Sequence, residues 1–218
     1  SSDLSLPQRG TAVLSRVLRQ GRDPGQVQRR HGAVCIAKSG EQISGDAWSV
    51  DDDGVAMRCL VADGLGHGPL AADAARMAVK LFRSARDPSP GPTVDRLNQG
   101  LHGTRGAAVA VALVDRAARR VTYGGLGNIA GSITSDGRTR RMISQNGTAG
   151  LRGATIQTFE FAYGLEPILV MHSDGVSASW SFDSYPGLAA RDPTLIAAVL
   201  MRDLARGRDD ATVLVAKP

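Results

Sequence analysis

The stretch Met57-Arg58-Cys59-Leu60-Val61-Ala62-Asp63-Gly64-Leu65-Gly66-His67-Gly68-Pro69 decides the fold. The run from Val55 to Ala62 is a strongly apolar strand, and it ends at a carboxylate followed by a glycine-rich turn. Pro69 then opens a helix continuing from Leu70 to Phe82, whose apolar positions Ala71, Ala74, Ala75, Ala78, Val79 and Phe82 share a face. An alanine stripe of this kind implies close packing on a sheet. The glycine string lacks the spacing of a dinucleotide fingerprint and has no lysine followed by serine or threonine, so neither nucleotide-binding loop is present.

Outward from this unit, His31 to Lys38 reads as a strand, Trp48 to Val50 as extended, and Asp51 to Gly54 as a hairpin turn. Arg86 to Pro92 reads as an internal linker, after which Thr93 caps a second helix through Leu101. Ala107 to Asp115 pairs with Arg120 to Tyr123, and Asn128 to Thr134 pairs with Arg140 to Ser144 around Ser135-Asp136-Gly137. Thr155 to Phe161 is extended, Pro167 to His172 is an apolar strand, Ser179 to Gly187 a loop, Pro193 to Leu204 a helix and Ala211 to Ala216 the last strand. Many hairpin-linked strands with a few separate helices specify an α+β layered domain rather than repeated crossover units.

Residues 1–30 are polar and arginine-rich, and read as an N-terminal extension or linker before a domain over 31–218. Within them Thr11 to Leu18 has the spacing of a short helix, stopped by Gly21, Pro24 and Gly25. A chain of 218 residues buries roughly two-thirds of its extended surface as one domain. With only 4% aromatic residues, alanine, valine and leucine must form its core.

The net charge of +5 is concentrated in Arg16, Arg19, Arg22, Arg29 and Arg30 and in Arg138, Arg140 and Arg141. Without aromatic stacking positions or a recognisable binding motif these suggest solvated arginines or an acidic protein partner, and no nucleic acid. Cys35 and Cys59 fit no zinc or disulfide pattern and read as buried free thiols. No apolar run is long enough to cross a bilayer and no signal-peptide core is present, so a cytoplasmic chain without membrane contact is expected.

The placement of Asp63 recurs. Asp174 follows the strand Leu169-Val170-Met171-His172-Ser173 and precedes Gly175; Asp209 and Asp210 precede the last strand; Asp46 follows Gly45. Carboxylates at strand ends from distant segments, together with the Gly64 carbonyl, are the oxygen donors that hard divalent cations take. A turn aspartate bonding its own backbone is the plain alternative for any single one of them.

The ordered set Gly45-Asp46-Ala47-Trp48, Ala62-Asp63-Gly64-Leu65-Gly66-His67-Gly68, Ser173-Asp174-Gly175-Val176 and Asp209-Asp210-Ala211-Thr212-Val213 resembles the PP2C-type metal-dependent serine/threonine protein phosphatases, in particular their bacterial SpoIIE-like branch. The resemblance covers residues 31–216. It implies a four-layer α-β-β-α sandwich with two mostly antiparallel sheets and a site for two ions, Mn2+ or Mg2+, at one edge. It implies further that Asp63 bridges the ions, Gly64 offers its carbonyl, Asp174 and Asp209 bind the second ion and Asp46 holds water at the metal, while Asp210 stands behind them. Ions so held would acidify a water for direct attack on phosphorus. His67 and His172 are candidates for protonating the leaving oxygen, His172 reading more readily as a packed strand-end residue.

The family's Thr-x-Gly-Ala-Thr segment appears as Thr104-Arg105-Gly106-Ala107-Ala108, so a methyl replaces the second hydroxyl. No arginine near Asp46 matches the phosphate-binding arginine of eukaryotic relatives. Gly127-Asn128 resembles a turn that shapes the site. The branch implies a phosphorylated STAS-domain anti-anti-sigma factor or a related regulatory protein as substrate. The alternative is a regulatory scaffold on the same fold with weak or no catalysis, and the sequence leaves the oligomeric state open.

Overall fold

The computed structural model describes residues 2–6, 10–17, 30–151 and 156–218. Its strands are β1 (Ser2–Leu6), β2 (Gly10–Leu14), β3 (His31–Ile36), β4 (Asp46–Asp52), β5 (Ala56–Gly64), β6 (Ala107–Asp115), β7 (Arg120–Leu126), β8 (Ala130–Ser135), β9 (Arg138–Met142), β10 (Thr158–Ala162), β11 (Ile168–His172) and β12 (Ala211–Ala216). The helices are α1 (Pro69–Arg83), α2 (Pro90–Gly100) and α3 (Pro193–Leu204).

Two five-stranded sheets, ordered β10-β7-β6-β5-β4 and β3-β12-β11-β8-β9, are antiparallel throughout. Period-two alternation assigns each strand two faces. Met57, Cys59 and Val61 of β5 meet Leu169 and Met171 of β11 and Leu214 and Ala216 of β12 between the sheets. Leu60 and Ala62 instead face α1 and α2, contacting Ala75, Ala78, Phe82 and Leu97. Val170, Val213 and Val215 face α3, with Leu195, Ile196, Val199 and Leu200. The result is the expected α-β-β-α order of layers.

Three local expectations are corrected. Of the expected helix Thr11 to Leu18, the described part, Thr11 to Val17, is not helical, and Leu18 lies outside the described residues: Gly10–Leu14 pairs antiparallel with Ser2–Leu6, and the β-branched Thr11 and Val13 point outward while Ala12 and Leu14 turn toward α3. Leu4 is buried in that same layer. The break at Gly21 to Gly25 lies outside the described residues, as does Thr155 at the start of the extended segment. The second helix begins at Pro90 rather than at a Thr93 cap, because prolines are tolerated in a first turn whose amides lack partners anyway; Thr93 is buried and donates to the Asp87 carbonyl. Cys59 is buried as expected, whereas Cys35 is exposed on the edge strand β3.

The turn Asp136-Gly137 joins β8 to β9 with φ of 50° and 71°, the paired positive angles a two-residue hairpin turn demands. Among the described residues no helix is long and apolar enough to cross a membrane.

Candidate metal centre

The face between the sheets is apolar along most of its length and changes character at one end. Continuing the alternation past Val61 and Trp48 places Asp63 and Asp46 on that face, and the two are direct cross-strand partners in the β4–β5 ladder. On the opposing sheet the same count from Met171 and Leu214 brings Ser173, Thr212 and Asp210 to that end. Like charges directly opposed across a ladder are destabilising unless something positive offsets them.

The acidic residues fall into two groups. Asp63, Asp174 and Asp209 line an open cavity of about 380 Å³, together with Gly66, Ala108, Asn128, Asn146 and Thr148. Asp46 and Asp210 are buried beside it, at 6% and 2% exposure. Asp46 Oδ2 accepts from the Ser173 hydroxyl at 2.6 Å, and Asp210 Oδ1 accepts from the Lys38 amide at 2.9 Å. Asp46 Oδ1 and Asp210 Oδ2 are buried with no hydrogen-bond donor. Buried carboxylate oxygens in that condition are rare and costly.

Asp63 joins the two groups electrostatically. Burial, then Asp46, Asp174, Asp209 and Asp210, push its carboxyl up to about 9. Asp46 is raised to about 6, chiefly by burial and further by Asp210 and Asp174, against the Ser173 hydrogen bond. Asp174 is raised by burial and by Asp209, with Arg206 opposing. The amide of Asn128 donates to Asp174 Oδ2 at 2.6 Å, so the Gly127-Asn128 turn contributes a side chain as well as shape.

Close backbone packing makes this convergence possible. A β-carbon on Gly175 would lie 2.0 Å from the Asp210 carbonyl oxygen, so only glycine lets the Asp174 turn abut the start of β12. Gly64 has a similar cause: its β-carbon would lie 2.0 Å from the Ala71 carbonyl oxygen of α1. Packing of the helix, not turn chemistry, requires that glycine.

Neither candidate histidine reaches the cavity wall. His67 is half-exposed and its Nδ1 lies 2.6 Å from Glu41 Oε1. His172 is buried with its Nδ1 donating to the Ser173 carbonyl at 2.9 Å; alternation turns it to the outer face of its sheet, where it lines a separate cavity with Arg141 and Trp180. Burial holds its imidazole below the usual range. Sequence patterns also missed Ser173, Asn146 and Thr148. Ser173 was available from strand alternation; the other two sit in a segment with no motif.

Among the described residues no group of three or more histidine, cysteine or acidic side chains is arranged to hold a metal ion as it stands. The side-chain chemistry nevertheless suits a hard divalent cation: carboxylate, amide and hydroxyl oxygens, two buried oxygens without donors, and mutual repulsion that a cation would relieve.

Two antiparallel sheets between helical layers, with acidic residues gathered at one end of the inter-sheet core, define a PP2C-type phosphatase domain. A model of the Stage II sporulation protein E (SpoIIE) family matches residues 53–218, and the chain belongs to that family. Phosphoserine phosphatase RsbX of Bacillus subtilis strain 168 is 26% identical over 143 residues, covering 65% of this chain and 72% of that protein. The structure of RsbX in complex with magnesium superposes with a TM-score of 0.71 at 23% identity, over 85% of this chain and 92% of that one. A chain described in terms of the bacterial stressosome gives 0.80 at 27% identity, over 86% and 98%. The PP2C phosphatase domain of SpoIIE from Bacillus subtilis with a fragment of its regulatory domain gives 0.72 at 22%, over 86% and 62%.

Proposed function

We propose that this chain is a divalent-cation-dependent protein serine/threonine phosphatase acting on a regulatory phosphoprotein. The enzyme class follows from family membership and from the phosphatase fold. The observation that carries the cation dependence is the convergence of five carboxylates from four distant segments, two of them with buried oxygens lacking donors. Asp63, Asp174, Asp209 and the Gly64 carbonyl are assigned as metal ligands for two Mn2+ or Mg2+ ions, with Asp46 orienting water at the metal. The magnesium in RsbX supports that assignment.

Bound cations supply positive charge and Lewis acidity toward water and phosphoryl oxygens. The chain's own side chains set the geometry. Asn128 fixes one oxygen of Asp174, Ser173 fixes one oxygen of Asp46, and the Thr212 amide donates to Ser173 Oγ at 2.9 Å. In this reading water attacks phosphorus directly. Its oxygen forms the new P–O bond, the bond to the serine or threonine oxygen breaks, and a water proton ends on that oxygen. Phosphate and the free hydroxyl result.

The stressosome likeness and the RsbX relationship favour a phosphorylated STAS-domain protein as substrate. The test is phosphate release from a phosphoserine STAS protein and from a small aryl phosphate, with manganese, magnesium or chelator, for wild type, Asp63→Asn and Asp174→Asn. Activity on neither substrate with metal present would leave a regulatory scaffold as the reading. Activity on the aryl phosphate alone would reject only the STAS assignment.

A further inference from the structure

We propose that Arg105 is the phosphate-binding side chain of this site, an inference that rests on the phosphatase reading above. The substrate group is a dianion, yet the cavity wall described above carries carboxylates, two asparagines, a threonine and small residues, with no lysine, arginine or histidine. In the β5–β6 ladder Ala108 stands directly opposite Asp63 and presents only a methyl group there. A cationic donor for phosphoryl oxygens must therefore reach in from the rim.

Arg105 stands at that rim. Its Nη1 lies close enough to Gly66, itself part of the cavity wall, that a β-carbon built on Gly66 would be 3.0 Å from it. The turn that carries Arg105 is fixed on both sides. The Thr104 hydroxyl donates to the Leu101 carbonyl at 2.7 Å and accepts from the Gly106 amide at 3.0 Å. The Leu65 amide donates to the Gly106 carbonyl at 3.0 Å, which ties the Arg105 turn to the Asp63 turn. Ala107 and Ala149 exchange backbone hydrogen bonds immediately beyond.

The guanidinium is free for a ligand. Arg16, Arg58, Arg116, Arg120 and Arg202 are each engaged by a carboxylate, whereas among the described residues no carboxylate pairs with exposed Arg105. An arginine fork matches two phosphoryl oxygens at once, which a lysine cannot do. Arg206 is the nearest rival, since Asp174 feels its charge. Neither arginine is part of the wall itself, but Arg105 Nη1 is placed against Gly66 of that wall, whereas Arg206 is tied next to Asp174 through its backbone amide, which donates to the Gly175 carbonyl at 2.8 Å.

The experiment compares full-length wild type, Arg105→Ala, Arg105→Lys and, as a remote control, Arg96→Ala on α2, whose side chain donates to Ser84 Oγ. With manganese present, the KM for p-nitrophenyl phosphate and the inhibition constant of inorganic phosphate are measured, with phosphate affinity by calorimetry. Arg105→Ala is expected to raise KM and the inhibition constant together by about tenfold. The manganese concentration giving half-maximal activity should stay within about twofold of wild type. Arg105→Lys should recover part of the loss and Arg96→Ala should match wild type. Unchanged phosphate affinity in Arg105→Ala, or a change confined to manganese dependence, overturns the assignment. Should wild type show no turnover, the phosphatase reading fails by itself and calorimetry still decides: phosphate bound by wild type and lost in Arg105→Ala upholds the assignment, while equal or absent binding rejects it.

Discussion

Ser173 donates to Asp46 Oδ2 at 2.6 Å across the gap between the two sheets, from a residue fully buried at the end of β11 to one at the start of β4. The same Ser173 oxygen accepts from the Thr212 amide, so one hydroxyl joins β4, β11 and β12 where the carboxylates gather. Ser173→Ala removes a charge-assisted bond and leaves Asp46 and the Thr212 amide without it. A cost of about 2 to 4 kcal/mol is expected, read by urea unfolding. A change below about 0.5 kcal/mol would show that the hydroxyl does not hold the sheets in register.

Asp63→Asn should separate stability from activity. In metal-free protein the Asp63 carboxyl is raised by burial and by four neighbouring carboxylates, so a neutral isostere relieves repulsion. The chelated variant is expected to unfold at higher temperature than chelated wild type, by the equivalent of roughly 1 to 3 kcal/mol. Phosphatase activity should fall by about a hundredfold or more. A variant that is both less stable and still active would remove Asp63 from the centre of the acidic cluster.

How much of this was legible in the sequence differs by residue. The ends of α3 and β12 were read without error, because Pro193 and the uniform apolar run Ala211 to Ala216 are unambiguous local signals. Thr11 to Leu18 misled because its apolar spacing suits a helix, while pairing with Ser2–Leu6 exists only in three dimensions. Asp209 and Asp210 were recognised as a pair. Only the family resemblance separates them, with Asp209 toward the site and Asp210 behind it; the residues alone do not, because their division, one facing the cavity and one buried against the Lys38 amide, depends on how β12 docks on β3. Gly64 stands out in the sequence as a carbonyl donor in a glycine-rich turn, but nothing local reveals that Ala71 of α1 packs upon it and excludes any side chain.

Arg16 and Asp192 give a pH dependence remote from the acidic cluster. Asp192 caps α3 by accepting from the Thr194 amide at 2.8 Å, and its two oxygens receive Arg16 Nη1 and Nη2 at 2.6 and 2.9 Å. Burial opposes ionisation, but Arg16 and the Thr194 amide outweigh it and hold the carboxyl below its usual range. The folded state thus binds this proton less readily than the unfolded chain. The stabilisation is complete above the unfolded value near pH ~3.9 and is lost as pH falls through the lower folded value. Asp192→Asn keeps a capping oxygen and loses the charge, so it should cost about 0.5 to 1 kcal/mol at pH 7. Urea unfolding of both proteins from pH 7 to pH 3 should show the difference shrinking on the acid side; a difference that grew would contradict the assignment.

Gly175→Ala tests whether the meeting of two acidic segments, rather than each alone, creates the cation site. The added methyl would lie 2.0 Å from the Asp210 carbonyl oxygen, so the Asp174 turn must draw away from the start of β12. Overpacking of this kind costs about 1 to 3 kcal/mol. More telling is the response to metal. A ligand bound only by the folded state at a hundred times its dissociation constant stabilises by about 2.7 kcal/mol. Manganese added to chelated wild type should therefore raise the unfolding temperature by several degrees. In Gly175→Ala, where Asp174 and Asp209 no longer approach each other, that rise should largely disappear while the helical signal of the folded state persists. An undiminished manganese response would mean that the cations are held without that approach, and the role of Asp174 or Asp209 as a ligand would have to be withdrawn.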